Sequence, residues 1–151
     1  MKLKTYQKNT LSLLAVAAGG FILFNLAFIL AAFVINATMS VLGTAQNEAP
    51  PVVGRVLYLL LIFLISWFVF RSRLNEIIKA AFLAMLLMVI IVMAGLSLYQ
   101  QSKWIAIGIG AVIICAVLSY LHKKKLSWLY YFSAFYVAIL GLCVMLFNIQ
   151  I

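Results

Sequence analysis

Five apolar runs, Leu11 to Ile35, Val52 to Phe70, Ile77 to Leu98, Trp104 to Leu121 and Trp128 to Phe147, take up most of the chain. Crossing a hydrocarbon core of about 30 Å takes roughly 20 helical residues, and each run is close to that length. None alternates as a strand does. A segment surrounded by lipid must satisfy its own backbone hydrogen bonds, so helices are the consistent form. The chain is therefore expected to be all-α, one transmembrane domain over residues 1–151 built as a bundle of five membrane-spanning helices. With 68% of its 151 residues hydrophobic and 9% charged, it carries more apolar surface than a water-soluble core of this size can bury.

The first run follows MKLKTYQK, which resembles the basic start of a secretory signal, but it far exceeds the roughly 7 to 15 apolar residues of such a signal. A retained signal anchor is expected. The sizeable loop ATMSVLGTAQNEAPP precedes the second run, and Pro50 and Pro51 suit a helix start because proline's fixed φ and missing N–H are tolerated there. The other connections are short, so consecutive helices should be antiparallel neighbours. Lys/Arg bias sets the orientation. With the N-terminus inside, Lys2, Lys4, Lys8, Arg71, Arg73, Lys79, Lys123, Lys124 and Lys125 are inner, against Arg55 and Lys103 outside. Five spans then place the C-terminus outside a cell (plasma) membrane of bacterial type, in a multi-pass protein.

In YLHKKKLSWLYYF, Lys123, Lys124 and Lys125 form an inner loop beside Trp128, Tyr130 and Tyr131. Aromatic belts lie at that depth, and each lysine near an anionic lipid surface contributes about 1 kcal/mol. The cluster reads as an interfacial anchor on the lipid bilayer, with anionic lipids at the inner face as partners and no nucleic acid. Arg73, Glu76 and Lys79, spaced by three, form an inner ion-pair set or a docking edge for a partner.

Few side chains are equipped for chemistry. The acids are Glu48 and Glu76, with no Asp, so neither a carboxylate-held Mg²⁺ nor an aspartyl dyad can be assembled. His122 is the one histidine, which excludes a histidine zinc triad or an axial haem pair. Cys115 and Cys143 lie about 12 Å apart in depth on antiparallel helices, too far for a disulfide, and are expected as buried free thiols. No catalytic residue, metal site or cofactor is predicted. A pump coupled to protons or sodium lacks its embedded carboxylate.

The polar and small residues fall on helical stripes. Ala18, Asn25, Ala32 and Asn36 share one face of the first helix, Arg55 and Ser66 one face of the second, and Gly108, Ala111, Cys115 and Ser119 one face of the fourth. The fifth has Ala134, Ala138 and Gly141, and the third a weaker stripe of Ala81, Ala84, Met88 and Gly95. These stripes are expected to face inward, with Asn25, Asn36, Arg55, Tyr58 and Ser66 as a candidate polar cleft open to the outside. Arg55 either snorkels to headgroups or accepts an anion. Function is expected to be that of a small integral membrane subunit or interaction protein packing with itself, as a homo-oligomer, or with another membrane protein. The alternative is a small oligomeric transporter or channel-like carrier for an anionic or amphiphilic solute.

Overall fold

The computed structural model describes the backbone of residues 2–42, 52–98 and 103–147, with the side chains of 9–41, 53–94, 104–105 and 107–143. It is all-helical: α1 (Lys2–Leu42), α2 (Val52–Arg71), α3 (Glu76–Leu98), α4 (Lys103–Lys124) and α5 (Trp128–Phe147). Among the described residues, four helices contain segments long and apolar enough to cross a membrane, at Asn9–Val41, Val53–Arg71, Glu76–Ala94 and Ile107–Lys124. The fifth, α5, is apolar along its 20 residues, WLYYFSAFYVAILGLCVMLF. Large apolar side chains such as Leu14, Phe33, Phe63, Phe68 and Val112 point out of the bundle, as lipid contact requires.

At 41 residues α1 overruns the expected 11–35 span at both ends and measures about 60 Å, twice a hydrocarbon core. Part of the expected loop is thus helix. The Thr38 hydroxyl donates to the Val34 carbonyl at 2.6 Å and the Ser40 hydroxyl to the Asn36 carbonyl at 3.0 Å. These polar groups are satisfied without leaving the helix. Glu48, Pro50 and Pro51 lie outside the described residues.

The third helix is the hub. It touches each of the other four, consecutive helices touch throughout, and α1 also reaches α5. Its buried residues, Ala80, Ala81, Leu83, Ala84, Met85, Leu87, Met88, Val89 and Ile91, occupy nearly every direction around the axis. A helix packed on all sides needs no single inward stripe, which explains its weak pattern in the sequence. Around α3 the core divides. One part joins Val16, Leu87, Leu121, Tyr130 and Val137 across α1, α3, α4 and α5. The other joins Ala27, Ala31, Tyr58, Ile62, Met85 and Val89 across α1, α2 and α3.

Two short turns close the same end of the bundle. After α2 the Ser72 hydroxyl donates to the Val69 carbonyl at 2.6 Å. Asn75 then caps α3, its side-chain oxygen 3.4 Å from the Ile77 N–H and its carbonyl accepting from the Lys79 N–H at 3.2 Å. After α4, the Leu126 N–H donates to the Leu121 carbonyl at 3.4 Å and the Lys125 N–H to the His122 carbonyl at 3.2 Å. This is a Schellman cap, and its left-handed residue is Lys125, with φ 47°.

Candidate functional site

The stripes do not all face inward. On α1, Ala18, Asn25, Ala32 and Asn36 are exposed, while Val16, Gly20, Ala27 and Ala31 are buried. At about 100° per residue, Asn25 and Ala27 point to opposite sides. The reason α1 turns this way is steric: Gly19 and Gly20 lie against Ala81 and Ala84 of α3, the closest helix approach available to small residues. On α4 the same inversion occurs. Gly108, Ala111, Cys115 and Ser119 are exposed and Ile114 and Leu121 are buried. Both cysteines are free but exposed, not buried as expected. On α5, Ala134 is buried and Ala138 and Gly141 are half-buried, as the sequence predicts.

The five candidate cleft residues therefore separate. Asn25 donates its amide to the Phe21 carbonyl of its own helix at 2.8 Å and faces outward. Asn36 is exposed as well. Ser66 is 2% exposed, and its hydroxyl has no hydrogen-bond partner among the described residues. It lies eight residues beyond Tyr58 on α2, about 12 Å farther down the helix.

Arg55 and Tyr58 do come together, one turn apart on α2. They line a cleft of about 340 Å³ between α1, α2 and α3. The α1 wall is Phe24, Phe28, Ala31, Ala32 and Ile35, and the α3 wall is Val89, Val92 and Met93. Gly54 lets α2 approach Ile35 and Thr38 of α1, which brings Arg55 level with Ile35 at the end of the cleft. Arg55 is half-buried. The arrangement is an apolar trough with one guanidinium at its end, where a polar cleft was expected.

At the opposite end, Arg73, Glu76, Lys79, Lys123, Lys124 and Lys125 gather near the two turns. All are exposed except Lys79, which is half-buried. Arg73 sits in the turn before α3, not on the helix, so the spacing of three does not align it with Glu76. No ion pair joins this set among the described residues. Glu76 instead occupies the first turn of α3, where a negative charge complements the helix dipole. Trp128 is exposed beside the lysines, but Tyr130 is in the core, two residues and about 200° around α5 from it.

Ser133 was not singled out in the sequence. Its hydroxyl, fully buried, lies 2.9 Å from the Ala80 carbonyl of α3 and 3.0 Å from the Leu129 carbonyl of α5, sharing one proton between them. The available signal was its position beside Ala134 on the small stripe of α5. Among the described residues no three His, Cys, Asp or Glu side chains gather as a metal site requires. No family model, curated protein or solved structure matches the chain.

Proposed function

We propose that the protein is a small integral membrane subunit that works by packing its outward α1 face against a second copy or another membrane protein. One observation carries this reading. Ala18, Asn25 and Asn36 form a small and polar stripe on the outside of the bundle, interrupted by the exposed Ile22 and Ile29 and bordered by Ala32 on the cleft side. Lipid tails gain little from such a stripe, whereas a neighbouring helix gains close backbone approach and a partner for the amide, worth about 0.6 to 2 kcal/mol. The lysine bias further supports five crossings of a plasma membrane with the α2–α3 and α4–α5 turns at the cytoplasmic face, near anionic lipid. Purification of the full chain in mild detergent tests the reading. A complex larger than one chain, of defined composition, is expected, and a monodisperse monomer would overturn it.

A second reading, a small oligomeric carrier for an anionic or amphiphilic solute, is favoured by the Arg55 cleft alone.

A further inference from the structure

We propose that the cleft between α1, α2 and α3 holds one acyl chain of an anionic phospholipid, with the lipid phosphate seated on the Arg55 guanidinium. The proposal rests on the cleft that favours the carrier reading, but it requires no transport.

Length, charge and access converge on this occupant. From Phe24 to Ile35 the cleft follows α1 for about 16 Å at 1.5 Å per residue. That is close to one leaflet, about half of a 30 Å hydrocarbon core. The walls are aliphatic and aromatic, and Arg55 stands at the end nearest the start of α2, where a headgroup would lie. Phosphate oxygens match the forked donors of a guanidinium, and the bond is charge-assisted. Glu76, the carboxylate among the described residues, lies at the opposite end of the bundle. A volume of about 340 Å³ is at the low end of the roughly 300 to 1,000 Å³ typical of ligand sites. It suits one chain, leaving the second in bulk lipid. Phe28 and Ala32 are exposed on the bilayer side and form the mouth, so the chain enters sideways.

Native mass spectrometry of the full chain, taken from vesicles of equal parts phosphatidylglycerol and phosphatidylcholine, tests the site. Phosphatidylglycerol should be retained preferentially. Arg55→Gln should lower that preference roughly ten- to a hundredfold, and Arg55→Lys should lose most of it, because an ammonium lacks the fork. Ala32→Phe fills the mouth from the lipid side without entering the core and should reduce retention of both lipids. If Arg55→Gln does not insert, Arg55→Lys carries the same comparison. Absence of preference in the unaltered chain, or full retention in Ala32→Phe, would overturn the proposal. Displacement of the phospholipid by oleate at equal concentration would overturn the assignment to a phospholipid. Lipid flux across the same vesicles is read separately, so retention without flux removes the carrier reading and leaves the site.

Discussion

A β-carbon on Gly20 of α1 would stand 2.9 Å from the β-carbon of Ala84 on α3, well inside the separation at which two carbon atoms attract. The two helices meet backbone against backbone, and neither residue has a flexible side chain that can yield. This contact decides which face of α1 is buried. It thereby sends Asn25 and its stripe to the outside.

Gly20→Ala should destabilise the bundle by about 1 to 3 kcal/mol, the range for overpacking a fitted core. Gly19 is the control. Its added β-carbon would lie 3.4 Å from that of Ala81, which is ordinary contact, so Gly19→Ala should be near neutral, helped by alanine's better helix propensity. Unfolding by SDS titration in mixed micelles compares them, and equal losses would mean that the close approach is not limiting.

Two buried serines should behave oppositely. Ser133→Ala removes the α5-to-α3 hydrogen bond and leaves the Ala80 carbonyl one partner short, a loss of about 0.6 to 2 kcal/mol. Ser66→Ala removes a hydroxyl that has no partner among the described residues. It should be neutral or stabilising, because an unpaired buried polar group carries a desolvation penalty. The same titration gives both values, and a large loss at Ser66 would reveal a partner for its hydroxyl.

Lys125 holds a left-handed conformation that usually selects glycine, at a cost of roughly 1 to 2 kcal/mol for an L residue. Lys125→Gly should therefore stabilise the α4–α5 turn by roughly 1 to 2 kcal/mol, read by the same SDS titration. An unchanged or lowered stability would mean that the left-handed residue carries no strain.

The helices were legible because each apolar run is near the length of a bilayer crossing, whereas the spacing that singled out Arg55 paired it with Ser66 and not with Tyr58, its neighbour one turn away. The ends of α1 were not, since Thr38 and Ser40 look like loop residues yet bond back into the helix. The orientation of α1 was hidden for a different reason. It carries two small stripes, and polarity favoured the one through Asn25, whereas fit against Ala84 selects the one through Gly20, a choice that depends on another helix. Ser66 shares a face with Arg55 in projection but not in depth. Composition along a helix cannot show that a cleft ends before reaching it.

Reporter fusions check the threading. Fusions after Arg73 and Lys125 should read cytoplasmic, and fusions within the segment from Thr38 to Ala49 should read external, as the lysine and arginine bias requires. A cytoplasmic reading between α1 and α2 would invert the arrangement and move the Arg55 cleft to the inner leaflet.

Photo-crosslinking in native membranes tests the packing role most directly. A photoreactive side chain at Ala18, Asn25 or Asn36 should join the protein to a second copy or to one defined membrane protein, giving a discrete heavier band at all three positions. Leu26, exposed on the same helix at the same depth but about 100° around it from Asn25, should give lipid adducts only. Lipid adducts alone at Ala18, Asn25 and Asn36, or the same heavier band from Leu26, would contradict the assignment of this stripe as the packing surface.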